Sequence, residues 1–215
     1  MSNVDSSYRM ELVRKGIHLC SLLIPILYFF LSKEQALKIL IPLTAIIILV
    51  DITRYYSKPV QRVFMETFGA LLRKHETDSA RKRLNGASYV MISATLCVLL
   101  FPKLVTITSF SVLIICDLTA ALIGLRFGKR KFFSKSLEGS LAFFVSGMFV
   151  VLLTPKIGNL FTEYLIGFVA VAIGAVVEAL SITIDDNLSI PLSVGVTMWA
   201  MYSIFIPSLN IYHFG

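Results

Sequence analysis

Ionisable side chains stand within three of the apolar runs of this 215-residue sequence, where an unpaired charge is costly and therefore marks a functional site. The first run carries four at the spacing i, i+3, i+4 and i+7, namely Glu11, Arg14, Lys15 and His18. In a helix all four share one face, which we expect to point toward the interior of a bundle. An interfacial anchor would account for Arg14 and Lys15, but His18 lies a turn deeper and favours a site.

Asp117 is a lone carboxylate in another apolar run. Gly124 and Gly128 follow it by seven and eleven residues, so a continuous helix presents all three on one face. Such a carboxylate should be neutralised, paired or metal-bound, and the glycines allow a ligand to approach it closely. The two glycines by themselves are equally typical of packing between membrane helices.

The densest polar segment follows, from Gly128 to Gly139. Glycines permit tight turns whose amides face phosphate oxygens, and lysines supply point charges for the same oxygens. A cationic loop is often present only to set the orientation of the protein in the membrane. That role explains the lysines and arginines but not Glu138, because an acidic residue would weaken it. The predicted phosphate-binding residues in and before this segment are Gly124, Gly128, Lys129, Lys131, Lys135, Ser136, Glu138 and Gly139.

Acidic side chains recur toward the C-terminus. The sixth apolar run carries, on one predicted helix face, Gly174, Glu178, Ser181 and Asp185, and Asp186 and Asn187 follow at a turn. Carboxylates are hard ligands suited to Mg²⁺, which takes one or two from the protein and the rest from phosphate and water. We predict metal ligands at Asp117, Glu178 and Asp186; a plain polar turn is the alternative for 185–187.

Metal-binding carboxylates, clustered cations and glycine-flanked turns are together the groups that a metal-bound nucleotide or polyphosphate requires for reaction. Because these groups border the membrane, the second substrate is expected to be a lipid.

The elements that position these residues are predicted to be membrane helices. Hydrophobic residues make up 56% of the chain, charged ones only 15%, and mean hydropathy is +0.80, whereas soluble domains carry about 25% charged residues. The runs are long and do not alternate, which favours helices over barrel strands. We predict an all-α, polytopic membrane bundle, one catalytic domain over residues 1–215, with about seven spans at Leu12–Leu31, Gln35–Val50, Ala87–Phe101, Leu104–Leu125, Gly139–Thr154, Leu160–Thr183 and Ser189–Pro207.

The charged segments between the spans set the expected orientation. An amphipathic helix is predicted on the membrane surface within 51–86, and a basic nucleotide-binding loop at 126–138. Of the 20 Lys and Arg residues, 16 fall at the N-terminus and in the loops after spans two and four, whereas the other side has Lys33, Lys38, Lys103 and Lys156. The excess predicts a cytoplasmic N-terminus and site, with the C-terminus opposite. The expected partner of this charge is the anionic bilayer rather than nucleic acid.

The ordered motifs resemble those of the CTP-dependent lipid kinases, a family that includes dolichol kinase, phytol kinase and CTP-dependent diacylglycerol kinase. The resemblance covers most of the chain and runs through Glu11-x-x-Arg14-Lys15-x-x-His18, Leu84-Asn85-Gly86-Ala87, Asp117 to Gly124 with Gly128-Lys129, Lys135-Ser136-Leu-Glu138-Gly139-Ser140, Glu178, and Asp186-Asn187-Leu-Ser-Ile-Pro191-Leu.

This resemblance implies transfer of the terminal phosphoryl group of CTP to a lipid hydroxyl, with a divalent cation, giving CDP and a lipid phosphate. It implies that the region from Asp117 to Gly139, together with Asn85 and Gly86, binds CTP, and that Arg14 and Lys15 are needed for activity. We further expect His18 or a carboxylate to accept the proton of the alcohol.

Two other functions remain open. The Lys-Ser-x-Glu-Gly element is loosely shared with CDP-diacylglycerol synthases, but their longer C-terminal signature is missing here. A transporter or lipid-binding protein is disfavoured because the polar groups cluster on one side of the predicted bundle. The acceptor is left open among polyprenols such as dolichol, phytol-like alcohols and diacylglycerol.

Overall fold

The computed structural model describes residues 3–69, 83–180 and 184–212, with the side chains of residues 3–7 and 9 excepted. These residues form nine α-helices and one two-stranded hairpin. The helices are α1 (Asn3–Cys20), α2 (Leu23–Phe30), α3 (Lys33–Thr53), α4 (Lys58–Phe68), α5 (Gly86–Leu100), α6 (Lys103–Phe127), α7 (Leu137–Leu153), α8 (Phe161–Leu180) and α9 (Asp186–Phe205). The antiparallel strands β1 (Lys131–Phe132) and β2 (Lys135–Ser136) lie between α6 and α7.

Five helical stretches are long and apolar enough to cross a bilayer: Met10–Phe30, Lys33–Thr53, Lys103–Phe127, Phe161–Leu180 and Asp186–Phe205. The predicted all-α, multi-pass membrane architecture is confirmed to this extent. The apolar helices α5 and α7 have only 15 and 17 residues, fewer than the about 20 that span a bilayer. The total of seven spans and their orientation therefore stay predictions.

The first predicted span is divided into α1 and α2. Pro25 has no N–H to donate to the carbonyl of Ser21, and its ring would clash with that carbonyl in a continuous helix. Ser21 O instead accepts a hydrogen bond from Ile24 N at 3.0 Å, and Ser21 N donates to His18 O at 2.9 Å. The chain therefore turns just after the side chain of His18.

The core surrounds α6, which packs against α1, α2, α5, α7 and α9. Leu113, Ile114 and Cys116 of α6 are fully buried. In the most apolar stretch of α6, 56% of the residues are buried. In the corresponding stretches of Met10–Phe30 and Lys33–Thr53, only 17% and 22% of the residues are buried. The first three helices thus lie at the periphery, and most of their apolar surface is left for lipid.

The two polar segments predicted at 51–86 and 126–138 have different secondary structure from that expected. In 51–86, Asp51–Thr53 complete α3, and α4 is the described part of the predicted amphipathic helix, with Phe64 buried; residues 70–82 lie outside the described ranges. In 126–138, the first two residues still belong to α6 and the middle forms the hairpin.

The carboxylate of Asp185 is not on the face of Glu178, so that prediction was wrong. The helix that carries Glu178 ends at Leu180. Asp185 Oδ1 accepts from Asn187 N at 3.0 Å and caps the N-terminus of α9, because the first amides of a helix need an acceptor. Ser181, predicted on the same face, lies outside the described residues.

The end of the bundle opposite Asp117 is organised by Glu163, a fully buried carboxylate. It accepts from the amides of Ile157, Gly158 and Leu160, each at 2.9 Å, and from the hydroxyl of Tyr202 at 3.2 Å. Four donors satisfy the charge, so Glu163 fixes the loop between α7 and α8.

Candidate active site

Asp117 of α6 is the point at which α1 meets the centre of the bundle. Its Oδ2 accepts a hydrogen bond from Lys15 Nζ and lies 3.7 Å from His18 Nε2. The exposed fractions of these side chains are 13%, 5% and 11%. Burial of the carboxylate is tolerated because a cation neutralises it.

The predicted polar face of α1 does point inward. One turn before His18, Arg14 forms an ion pair with Glu11, and Lys15 reaches Asp117 from the next position. Lys15, which is 102 positions from Asp117 in the sequence, and His18 therefore approach its carboxylate, while Glu11 and Arg14 pair with each other on the same helix.

A second cluster lies beside the first, where Lys135 Nζ contacts two carboxylates. It lies 3.2 Å from Glu178 Oε1 and 3.0 Å from Asp186 Oδ2. Burial of the ammonium disfavours its charge, but the carboxylates of Asp186 and Glu178 outweigh burial and raise the pKa of Lys135 above its ordinary value of 10.5. Lys135 is consequently a cation throughout the neutral range of pH.

The hairpin holds Lys135 in place. Its turn includes Phe133, at a φ of 51°, and Ser134, whose Oγ and N donate to Ala179 O of α8 at 2.7 and 3.1 Å. Ser136 then caps α7 by accepting from Gly139 N at 3.2 Å. Lys135 is thus fixed between α7 and α8, two residues before the start of α7.

The carboxylate of Glu138 binds backbone amides of the loop before the hairpin and does not line a cavity. Its carboxylate accepts from Lys129 N at 3.0 Å and from Arg130 N at 3.3 Å. These bonds fix the entry to the hairpin. Among the predicted phosphate-binding residues, Lys129, Lys131, Glu138 and Gly128 do not line either of the two cavities described next.

The first cavity, which we call the polar cavity, has a volume of about 320 Å³. It lies between α1, α6, α7, α8 and the hairpin, and carries three carboxylates and two ammonium groups. Its lining consists of Glu11, Lys15, Asp117, Ala120, Ala121, Gly124, Leu125, Lys135, Ser136, Gly139 and Glu178.

Two glycines shape the polar cavity by letting α6 and α7 come together. A Cβ on Gly139 would lie 3.0 Å from both Ala120 O and Ser136 Oγ, and 3.3 Å from the Cα of Gly124. Neither position therefore has room for a larger residue unless a helix shifts. Gly124 therefore contributes both to helix approach and to the cavity wall, whereas Gly128, the other glycine of the pair noted in the sequence, does not line the cavity.

The second cavity, which we call the apolar cavity, has a volume of about 520 Å³. Three of its apolar lining residues, Ile17, Val50 and Phe68, are about half exposed on the outer surface, so it reaches the lipid-facing side of the bundle. The lining is Arg14, Lys15, Ile17, His18, Ser21, Ile46, Ile47, Val50, Phe64, Phe68, Asn85, Gly86, Ala87, Val90, Met91, Asp117 and Asn187.

Asn85 and Gly86 line the apolar cavity and not the polar one. We predicted that they bind the nucleotide together with the region from Asp117 to Gly139, but the structure places them on the far side of the Lys15–Asp117 pair. These two residues, Lys15 and Asp117, line both cavities. The pair therefore stands at the junction of a polar and an apolar compartment.

Sequence reasoning missed the buried ion pair of Asp51 and Arg54, whose side chains are 1% and 4% exposed. Asp51 Oδ1 lies 2.7 Å from Arg54 Nε, and its Oδ2 accepts from Asn85 N and Ser88 Oγ, each at 2.7 Å. We counted Arg54 only as a topological charge. The signal was an acid at the end of an apolar run with a base three residues on, a helical ion-pair spacing.

One buried carboxylate oxygen in the polar cavity makes no hydrogen bond to the described residues. Glu178 Oε2 is buried and has no hydrogen-bond partner within the described part of the chain. Across the same residues, no three His, Cys, Asp or Glu side chains are grouped closely enough to hold a metal ion by themselves. Asp117 and Glu178 line the polar cavity with carboxylates, a type of ligand that Mg²⁺ accepts while it takes its other ligands from phosphate and water.

Comparison with known proteins gives two relatives. An uncharacterised protein of Rickettsia prowazekii is 31% identical over 188 residues, covering 86% of this chain and 92% of that protein. CTP-dependent diacylglycerol kinase 1 of Schizosaccharomyces pombe is 30% identical over 155 residues, covering 66% of this chain and 69% of the kinase. No protein-family model and no solved structure matches the chain. The similarity to the kinase, over more than two thirds of its length, shows that this chain belongs to the family of CTP-dependent lipid kinases.

Proposed function

We propose that this protein transfers the γ-phosphoryl group of CTP to the hydroxyl group of a membrane lipid. The observation that carries the proposal is that the polar and apolar cavities meet at Lys15 and Asp117. A phosphoryl transfer between a charged nucleotide and a lipid needs two such compartments with one shared boundary. The family relationship supports CTP as the donor.

The polar cavity is the proposed site of the triphosphate. Lys135 and Lys15 provide cations for the phosphate oxygens, and Ser136 and the glycine-lined wall allow those oxygens to approach the backbone. In the described structure both lysines are paired with carboxylates. Binding of the nucleotide would exchange these partners, with lysines turning to phosphate.

A divalent cation fits the same cavity, and Mg²⁺ is our choice because its ligands are carboxylates, phosphate and water. Asp117 and Glu178 would hold it, with Asp186 adjacent, and the buried Glu178 Oε2 is the atom that lacks another partner. When bound, the ion would neutralise phosphate charge and orient the γ-phosphoryl group.

The apolar cavity is the proposed site of the acceptor. His18 and Arg14 line it beside the junction, whereas Lys135 and Glu178 line only the polar cavity. The lipid oxygen attacks the γ-phosphorus, and the bond from that phosphorus to the β–γ bridging oxygen breaks, so that CDP leaves with the electron pair. The hydroxyl proton passes to His18, whose Nε2 lies 3.7 Å from the carboxylate of Asp117. Arg14 and Lys15 offset the charge that develops.

Labelled nucleotide tests the proposal directly. Protein purified in detergent micelles would be incubated with Mg²⁺ and CTP, labelled on the γ-phosphate in one sample and on cytidine in another. The acceptors are diacylglycerol, a polyprenol, phytol and phosphatidic acid, and the lipids are separated by thin-layer chromatography. The Asp117→Asn variant, prepared identically, controls for contaminating kinases.

We expect the γ-label alone to enter a lipid alcohol and CDP to accumulate. Entry of the cytidine label into phosphatidic acid, with release of pyrophosphate, would instead show a cytidylyltransferase. Absence of labelled lipid from every acceptor would contradict the proposal.

A further inference from the structure

The amide side chain of Asn85, in the wall of the apolar cavity, has an unused donor. Asn85 Oδ1 accepts from Ser88 N at 2.9 Å and caps α5. Its Nδ2 makes no hydrogen bond within the described part of the chain, although Asn85 is 9% exposed and lines the cavity. A ligand that covers this donor without accepting from it would leave a buried polar group unsatisfied.

The backbone that carries Asn85 is held from two directions. Asp51 accepts from Asn85 N and Ser88 Oγ, and Arg54 neutralises Asp51 from the same helix. Arg54 also donates to Arg83 O at 3.2 Å, just before Asn85. The position of the amide is therefore determined by a buried ion pair rather than by the loop itself.

The same ion pair reaches another wall of the cavity. The guanidinium carbon of Arg54 lies 4.6 Å from the centre of the Phe64 ring, a cation–π distance, and Phe64 is a buried lining residue. Arg54 thus connects α3, α4 and the start of α5. The pair therefore links the backbone that carries Asn85 to the aromatic wall of the same cavity.

We infer that Asn85 donates a hydrogen bond from Nδ2 to an oxygen of the acceptor lipid other than its reacting hydroxyl, and that Asp51 and Arg54 position it. Resting on the function proposed above, this makes Asn85 a specificity residue. Its ligand is a carbonyl oxygen close to the hydroxyl group, as in the esters of an acylglycerol. An isoprenoid alcohol has no such oxygen and leaves the donor unpaired.

The test compares three acceptors with the wild type and with Asn85→Ser, which keeps a capping oxygen for α5 but removes the amide donor. The acceptors are diacylglycerol, the ether analogue dialkylglycerol, which lacks the carbonyl oxygens, and phytol. KM and kcat are measured for each acceptor, and KM for CTP separately. Asn210→Ser is the matched control, because Asn210 also accepts from a backbone amide in a turn but lies outside both cavities.

We expect Asn85→Ser to raise KM for diacylglycerol about tenfold, the value of one hydrogen bond, and to leave KM for dialkylglycerol, phytol and CTP within about twofold. The double variant Asp51→Asn, Arg54→Met removes both buried charges together. It should raise KM for diacylglycerol in the same direction, with kcat less affected.

Equal changes for all three acceptors would overturn the inference, as would a wild-type enzyme that does not distinguish diacylglycerol from dialkylglycerol. Activity on phytol alone would overturn it too while leaving the proposed function intact. Failure of the wild type with every alcohol would remove the proposed function and this inference with it.

Discussion

Lys15 and Asp117 form an ion pair across the interface of α1 and α6, and this pair borders both the polar and the apolar cavity. The two residues are 102 positions apart in sequence. Each is buried, so each depends on the other for neutralisation. In the proposed reaction the phosphoryl group passes from one compartment to the other at this pair.

Replacement of Asp117 by Asn should reduce turnover to background, a loss of about 10²-fold or more, because the junction then lacks its carboxylate. The assay is γ-labelled CTP with the preferred lipid alcohol. Ser109→Ala is the matched control, since Ser109 is buried on the same helix away from both cavities. Near-normal activity of the Asn variant would exclude Asp117 from the reaction.

Lys135→Met should raise KM for CTP and lower kcat, with kcat/KM falling about tenfold or more. Lys135→Arg should retain part of the activity because it keeps the charge. The raised pKa of Lys135 means that its ammonium group stays charged throughout the neutral range of pH, and that on the alkaline side its ion pairs are lost only as pH rises through that raised pKa. The ratio of wild-type to Met rates should therefore be constant from about pH 6 to pH 9, and a strong pH dependence of that ratio would argue against this assignment.

Val50→Trp should raise KM for the lipid and leave KM for CTP unchanged, because Val50 lines the mouth of the apolar cavity. Leu49→Trp provides the comparison: Leu49 is adjacent and 65% exposed but does not line the cavity. Kinetics with varied lipid and fixed CTP distinguish the two. If both variants behave alike, the apolar cavity is not the acceptor site.

Gly139→Ala should weaken CTP binding and lower the thermal midpoint, because its Cβ would press on Ala120 O and Ser136 Oγ at 3.0 Å. Gly16→Ala has no atom within 4 Å of the new Cβ. In that position Ala should be neutral or stabilise α1 by up to about 1 kcal/mol. Thermal unfolding in detergent and KM for CTP measure both effects; an unaltered Gly139→Ala variant would show that α6 and α7 need not be so close.

Glu163→Gln should lower the stability of the protein without changing its catalytic activity. The substitution removes the charge that four donors share, which should cost about 1–3 kcal/mol of unfolding free energy. The folded fraction should keep its specific activity, because Glu163 lies at the end of the bundle away from Asp117. A selective loss of kcat at unchanged stability would show that this carboxylate has a catalytic function.

The chain's local patterns were enough to predict an all-α membrane protein and the inward face of α1. An apolar run of about 20 residues predicts a membrane-spanning helix, and polar residues spaced three and four apart are predicted to share one face of that helix. The same local patterns led to errors where one residue interrupts a helix. Pro25 divides the first span, and Asp185 starts a new helix instead of extending α8.

Tertiary structure alone decided how the candidate residues are distributed. Spacing shows which side chains share a helix face, but whether Lys135 meets Glu178, or Asn85 faces a cavity apart from Gly124, depends on how distant helices pack. The Asp51–Arg54 pair was hidden for the same reason, since burial is a property of neighbours and not of the residue itself. The sequence by itself therefore determined the membrane-helix class and which residues are candidates for the site, whereas packing determined the two compartments and the junction between them.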